Sequence, residues 1–247
     1  MQTTKTTQTA FVPSYKAVKS LLSKGSTNAK TAKNELETHI LYLAPANKIG
    51  SHNICPFASP GCIQGCLDEA GRGIFSNVQE ARKNKTKYWA FNREGFYIQL
   101  AEELIKLNDK AFNENRTIAI RLNGTSDLDH LSLLKRYSGI DFLDGFYSHL
   151  KFYDYTKSIK KFKDYLGTNY HLTFSLSEIN KDQAIEALKI GGNIAVVFRN
   201  SLPAKFMGFD VINGDLTDYR PSDPQNVVVG LVAKGKAKKD ISGFVID

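Results

Sequence analysis

Apolar runs and stretches of helical period alternate along this chain from residue 38 onward. Each apolar run has the length of a buried β-strand, and each amphipathic stretch has the length of a helix. The predicted strands cover 39–44, 117–122, 151–153, 171–174 and 194–198, and the predicted helices cover 76–92, 94–107, 126–137, 156–166 and 180–190. Buried strands joined by helices are typical of a mostly parallel sheet.

This alternation predicts the α/β fold class, with parallel β/α repeats that form a partial or distorted TIM-like barrel. Further apolar runs at 211–212, 227–232 and 243–245 would complete the sheet. Residues 1–37 are rich in Thr, Lys, Ser and Asn, which predicts a partly ordered N-terminal arm with one short helix over 15–23. No linker composition divides the rest, so 38–247 is predicted to form a single α/β domain.

A polar cluster follows each predicted strand after the first, at 123–127, 154–157, 175–178 and 199–200. Ligands of parallel α/β proteins bind at the carboxyl ends of the strands, so these clusters should face one another and line one site. The competing interpretation is that each cluster is only the polar turn that ends a strand.

Asp154 and Lys157 are candidate catalytic residues within these clusters. Opposite charges at strand ends can act as a general acid–base pair or clamp a ligand. The structural alternative is an ion pair at the surface.

Asn123, Ser126 and Ser175 are candidate cofactor-binding residues, because their side chains offer hydrogen bonds to a bound group. Ser126 or the neighbouring Asp127 would also suit the N-cap of the helix predicted over 126–137. A capping role would make that residue structural.

The chain has 247 residues, a formal net charge of +8 and a pI near 9.2. No apolar run approaches the roughly 20 residues that span a bilayer, and the polar N-terminus has no apolar signal core. A soluble protein without a membrane partner is expected, in a reducing cytoplasm. Basic runs at 83–87, 157–163 and 234–239 are more often solvated faces than binding sites. A nucleic-acid partner is not favoured, because no recognised nucleic-acid-binding module accompanies the charge.

All three cysteines, Cys55, Cys62 and Cys66, lie in one short segment directly after the first predicted strand. An odd number of cysteines in one segment excludes a disulfide framework. Three thiolates suit a soft metal centre, either zinc or an iron–sulfur cluster. The structural alternative is that the three cysteines are small buried residues that bind no metal.

Zinc would need a fourth protein ligand, from His52, His39 or a distant carboxylate. A [4Fe-4S] cluster can be held by three cysteines, which leaves its fourth iron open to a small molecule. Because the segment follows a strand of the β/α series, where catalytic sites lie, the cluster is favoured and 38–247 is predicted to be a metal-cluster domain.

An open iron predicts a redox or radical enzyme, with S-adenosylmethionine as the leading candidate for the molecule that binds it. Arg72, between Gly71 and Gly73, is a further candidate cofactor-binding residue that would grip an anionic ligand. Two alternatives stay open. One is a non-enzymatic electron-transfer or redox-sensing protein with a redox partner protein, and the other is a zinc-stabilised protein that binds nucleic acid.

From about residue 28 to the C-terminus the chain resembles the phage gene product 88 family. The matching segments are NAKT at 28–31, LYLAPA at 41–46, CP at 55–56, SPGC at 59–62, CL at 66–67, GRG at 71–73, RLNGTSD at 121–127, FYDYTK at 152–157 and GD at 214–215 before Asp218. The resemblance implies a viral origin and action in the cytoplasm of an infected bacterium.

In architecture the chain also resembles the radical S-adenosylmethionine superfamily, in which three cysteines after the first strand of a partial barrel hold a [4Fe-4S] cluster. This likeness is one of fold rather than of motif. The superfamily spacing Cys-x3-Cys-x2-Cys is replaced here by Cys-x6-Cys-x3-Cys, and the segment 123–126 stands where a Gly-Gly-Glu segment would follow the second strand.

Overall fold

The computed structural model describes residues 15–27, 36–69 and 71–247. In these ranges the strands are β1 (Leu22–Lys24), β2 (Thr38–Leu41), β3 (Ile118–Arg121), β4 (Leu150–Thr156), β5 (Tyr170–Ser175), β6 (Ile194–Phe198), β7 (Lys205–Phe206), β8 (Phe209–Asn213), β9 (Val228–Val232) and β10 (Val245–Ile246). The helices are α1 (Pro60–Gln64), α2 (Ser76–Phe91), α3 (Arg93–Asn113), α4 (His130–Ser138), α5 (Ile159–Asp164) and α6 (Lys181–Lys189).

The strands form one mostly parallel sheet in the order β1-β2-β3-β4-β5-β6-β9-β8-β7. The edge strands β1 and β7 pair antiparallel with β2 and β8, and the other neighbours in this order are parallel. The α/β class is therefore confirmed. Within the described residues the two edges do not pair with each other, so the sheet is not closed and a barrel is not confirmed.

The sheet forks at β6. Strand β5 pairs with the first residues of β6, at Ile194 and Ala195, whereas β10 pairs with its last residues, at Val197 and Phe198. The segment that leads into β10 is therefore inserted at the carboxyl end of the sheet, beside the place where β5 ends.

The two faces of the central strands differ in chemistry because side chains alternate along a strand. One face contributes Ile118, Ile120, Phe152 and Phe174 to the main hydrophobic core, together with apolar residues of α3. The opposite face carries polar side chains, among them Arg121, Tyr153, Tyr155 and Thr173. A polar face on a buried sheet predicts an enclosed site rather than a second core.

Two of the predicted helices are corrected by the structure. Helix α4 begins at His130 and its N-cap is Asp129, whose carboxylate accepts a hydrogen bond from the backbone N–H of Ser132. Neither Ser126 nor Asp127 is its cap. Instead of a helix over 15–23, the described part of the arm forms β1, because the apolar residues Leu21 and Leu22 are buried against the sheet.

Residues 1–14 and 28–35 of the predicted arm lie outside the described residues, so the division of the chain at residue 37 stays a prediction. Among the helices described, none has both the length and the apolar character needed to cross a membrane.

Helix α1, which the hydrophobic pattern did not predict, packs closely against the segment before β10. A Cβ atom added at Gly61 would lie 2.1 Å from the Ser242 Oγ and 2.6 Å from the Phe244 Cβ. Only glycine allows this approach, so Gly61 fixes how near the cysteine segment comes to the carboxyl end of the sheet.

Replacing Gly61 with alanine should lower the free energy of unfolding by about 1–3 kcal/mol, because the added methyl group overpacks the contact. In an unconstrained helix the same change stabilises by about 0.5–1 kcal/mol. A loss of stability would therefore show that the Gly61 contact is present. Urea denaturation followed by circular dichroism measures it. Gly145→Ala is the matched control, since nothing lies within 4 Å of its added Cβ. Equal stability of the two variants would show that α1 does not pack as described.

Candidate metal centre and ligand cavity

A cavity of about 1300 Å³ opens at the carboxyl ends of the parallel strands. Its wall includes all three cysteines, Arg72 from the turn after them, and residues that end or follow β3, β4, β5, β6 and β9. Pockets that bind one drug-sized ligand have volumes of about 300–1,000 Å³. The cavity therefore has room for more than one bound group.

The predicted site residues divide into those that line this cavity and one that does not. Cys55, Cys62, Cys66, Arg72, Asn123, Ser126, Lys157 and Ser175 all line it. Asp154 is fully buried away from the cavity wall.

Local sequence explains why Cys62 lies on a helix. Pro60 occupies the first turn of α1, where a missing N–H costs nothing, and Ser59 is the N-cap. The Ser59 Oγ accepts a hydrogen bond of 3.2 Å from the backbone N–H of Cys62. Cys66 follows two residues after the helix ends at Gln64.

Glu178, in the turn after β5, holds the start of this helix with both carboxylate oxygens. Its Oε1 accepts from the backbone N–H of Gly61 at 2.7 Å, and its Oε2 accepts from the Ser59 hydroxyl at 2.6 Å. A carboxylate at a helix N-terminus also meets the positive end of the peptide dipoles. Glu178 therefore fixes the cysteine segment to the sheet.

The thiols of Cys55 and Cys66 lie in low-dielectric surroundings. The Sγ of Cys55 accepts from the backbone N–H of Ala46 at 3.4 Å and donates toward the carbonyl of Thr125 at 3.7 Å. Burial, assisted by the neighbouring Cys66, Asp127 and Cys62 and opposed by the hydrogen bond from Ala46, raises the pKa of Cys55 to about 12. Burial also raises the pKa of Cys66, and the neighbouring Cys62 and Asp68 act in the same direction. All three cysteines are free of disulfides.

The thiols do not converge on one point. In the part of the chain that the structure describes, no group of three or more His, Cys, Asp or Glu side chains is placed to hold a metal ion. The predicted fourth ligands lie elsewhere: His52 packs edge-on against Trp89 and Phe91, and His39 pairs with Glu37.

Asn123 and Ser126 shape the loop after β3. The Asn123 Oδ1 accepts from the Ser126 hydroxyl at 2.8 Å and from the backbone N–H of Leu128 at 2.9 Å. Its side-chain amide donates to the Leu128 carbonyl at 2.9 Å. Both side chains line the cavity, but much of the hydrogen-bonding capacity of Asn123 is used to hold the loop.

The structure does not bring Asp154 and Lys157 together. Asp154 accepts hydrogen bonds from the backbone N–H groups of Leu122 and Asn123 and from the Tyr170 hydroxyl at 2.8 Å. The Lys157 ammonium instead donates to the Ser175 hydroxyl at 2.8 Å. Asp154 thus fixes the carboxyl end of β3, and the catalytic roles of Asp154 and Lys157 stay predictions.

Arg121, at the end of β3, was missed as a site residue. Its guanidinium lines the cavity, forms an ion pair of 2.8 Å with Asp218 and lies over the ring of Tyr155. Burial opposes its charged form, but Asp218 and the nearby Asp154 outweigh that cost and raise the pKa of Arg121. The sequence contains an indication of this role, because a charged residue that ends an apolar strand is buried and needs a partner of opposite charge.

Arg72 is exposed at the wall of the cavity, and no hydrogen bond or ion pair joins its side chain to the described residues. The turn that carries it requires glycine, because a Cβ at Gly73 would lie 1.9 Å from the carbonyl oxygen of Asp68. Asp68 in turn pairs with Lys48 at 2.7 Å and with Arg82. The flanking glycines therefore serve the fold of the turn as well as access to Arg72.

A family model described as gene product 88 matches residues 20–247. The match covers most of the chain, so the chain belongs to the phage gene product 88 family, as its motifs predicted. No curated protein and no solved structure matches the chain. The likeness to the radical S-adenosylmethionine superfamily finds no support in these comparisons.

Replacing Glu178 with alanine removes two hydrogen bonds and should raise the rate of Cys62 alkylation at least about tenfold. A hydrogen bond to a charged group contributes about 1.5–3 kcal/mol, and 1.4 kcal/mol corresponds to a factor of ten. The rate of Cys62 alkylation by iodoacetamide, located by peptide mass spectrometry, measures this. Glu186→Ala is the matched control, because Glu186 only pairs with Lys163 at the surface. Equal rates in the two variants would contradict the role of Glu178.

Asp154→Asn should change how stability depends on pH. Burial raises the pKa of Asp154 from 3.8 to about 6, so between these values the folded chain binds more protons than the unfolded chain. The stability of the natural protein then falls as pH rises through this window, and the asparagine variant lacks that fall. The unfolding free energy of the variant minus that of the natural protein should rise from pH 4 to pH 6 in urea titrations, and a constant difference would contradict the raised pKa.

Proposed function

We propose that the protein holds a [4Fe-4S] cluster on Cys55, Cys62 and Cys66, with the fourth iron open to a small molecule in the cavity. The observation that supports this most directly is that all three cysteines line one cavity at the carboxyl ends of parallel strands. Catalytic and cofactor sites of α/β proteins lie at that edge of the sheet.

The donor set suits a cluster better than zinc. A structural zinc site needs four protein ligands, and neither His39 nor His52 lines the cavity with the thiols. The carboxylate of Asp127 does line it, but it is paired with Lys161 and accepts a hydrogen bond from Thr156. A cluster with an open iron needs only the three thiolates that the cavity wall supplies. Because the sulfur atoms do not converge without a metal, binding would have to draw them together.

The polar wall favours an enzyme over an electron carrier. A carrier or redox sensor needs no space beside its cluster, whereas this cavity of about 1300 Å³ exceeds the size of one ordinary ligand site. When bound, the cluster would supply one-electron chemistry at its open iron, with electrons from a redox partner protein. S-adenosylmethionine is the leading candidate for the small molecule, in a redox or radical reaction.

The residues of the chain would then position that molecule. Asn123, Ser126 and the loop they shape form one side of the cavity, and Arg121 with Asp218 forms a charged pair in its wall. Arg72 offers a cation at the wall next to the thiols. Membership of a phage family supports action in the cytoplasm of an infected bacterium.

The test is anaerobic purification followed by absorption spectroscopy and metal analysis. The natural protein should be brown, with about four irons and four sulfides per chain, and Cys62→Ala should lose most of both. Ile63→Ala is the matched control: it changes an exposed neighbour on α1 and should keep the cluster.

Electron paramagnetic resonance of the reduced protein tests the binding of S-adenosylmethionine separately from the presence of the cluster. A change of the signal on addition of S-adenosylmethionine would support binding at the open iron, and an unchanged signal would remove that cofactor while leaving the cluster. A colourless protein with about one zinc would overturn the proposal. Nucleic-acid binding at several salt concentrations would then become the next experiment.

A further inference from the structure

Most cations in the cavity wall are already paired. Arg82 pairs with Asp68, Arg121 pairs with Asp218, and Lys234 pairs with Asp215. Lys85 donates to the backbone carbonyl of Leu21. Within the described residues Lys85 forms no ion pair, but Glu103 is a charged neighbour that favours its charged form. Two candidates therefore remain among the wall cations that the structure describes, Lys157 and Arg72.

Lys157 is the better candidate of the two, because it is half-buried whereas Arg72 is exposed. The Lys157 Nζ donates to the Ser175 Oγ at 2.8 Å and lies 5.6 Å from the centre of the Phe244 ring. Strand pairing brings the two residues side by side, because Thr156 is in register with Phe174, and Lys157 and Ser175 are the residues that follow them along the chain. The sheet therefore places their backbones within reach of each other.

The carboxylate of Asp127, which lies beside the Lys157 backbone, is already paired with another lysine. Asp127 accepts from the backbone N–H of Lys157 at 2.8 Å, from the Thr156 hydroxyl at 2.8 Å and from the Lys161 ammonium at 2.6 Å. Its charge is compensated by buried Lys161, not by the ammonium of Lys157. Partial burial of a cation without a neutralising partner costs free energy, which a bound anion would recover.

Lys157 also lies near the thiols. The ring of Phe244 contacts it on one side, and Phe244 belongs to the small apolar cluster against which Cys62 packs. A group held by the Lys157 ammonium would thus lie in the part of the cavity next to Cys62.

We infer that Lys157 and Ser175 bind the acidic group, a carboxylate or a phosphate, of the small molecule that enters this cavity. The ammonium keeps two N–H donors beyond the one given to Ser175, and the Ser175 hydroxyl accepts that bond while its own proton is available to the anion. The placement of the molecule beside a cluster rests on the proposed function, whereas the recognition of its acidic group does not.

The experiment is a nuclear magnetic resonance titration of protein labelled with ¹³C at the lysine Cε, with the Lys157 signal assigned by its loss in Lys157→Gln. Glutarate and inorganic phosphate are the probes, with chloride at equal ionic strength as the reference. One of the two anions should shift the Lys157 signal saturably, and which one does so distinguishes a carboxylate from a phosphate. Ser175→Ala should weaken that binding about fivefold, since one hydrogen bond contributes about 1 kcal/mol.

Lys151 provides the matched control, because it lies on the same strand β4 but donates to Asn169 at the surface. Its signal should move no more with either anion than with chloride, and Lys151→Gln should leave the Lys157 response intact. Equal shifts at both lysines, or no shift at Lys157 beyond that with chloride, would overturn the inference. The titration is run on the natural protein, whose iron content is measured in parallel. A Lys157 response in natural protein that holds no iron would preserve the anion site while the cluster proposal fails, and natural protein that holds iron but gives no Lys157 response would do the reverse.

Discussion

The hydrogen bonds from Ser59 and Gly61 to Glu178 are the constraint on which the site depends. They join a five-residue helix, too short to be stable alone, to the end of a central strand. The close contact of Gly61 with the segment before β10 then fixes the distance between the thiols and the sheet. Without both interactions the cysteines would lie on a free loop, and the cavity would lose one of its walls.

Carboxylates at this edge of the sheet serve mainly to hold neighbouring loops in place. Asp154 connects the end of β3 to β5 through Tyr170, and Asp127 connects the loop after β3 to the end of β4. Each accepts several hydrogen bonds, which offsets the cost of burying its charge. Because these carboxylates are used in structural hydrogen bonds, the cavity wall offers a ligand more cationic than anionic groups. The positive side chains therefore indicate the charge of the ligand.

Local patterns predicted the parts of the fold that depend on local forces. The strands around Ile120, Phe174 and Val196 were found because consecutive apolar residues are buried between layers. Helix α1 was not found, because its stability comes from Glu178, which is 117 residues away from Gly61. Strand alternation showed that Asp154 and its tyrosine neighbours face opposite sides, but only packing shows which side is the cavity. The clustering of strand-end residues around the thiols was predictable, since parallel strands share one carboxyl edge.

The long sequence separation of these contacts has a consequence for the chain as it is synthesised. Translation is vectorial, so the segment with Cys55, Cys62 and Cys66 leaves the ribosome well before Glu178, and earlier still than Phe244. Contacts between distant segments form late in folding. During that interval the three sulfhydryl groups are exposed to solvent without the protection that the folded sheet later gives them, and their surroundings are complete only once the chain through Phe244 has been made.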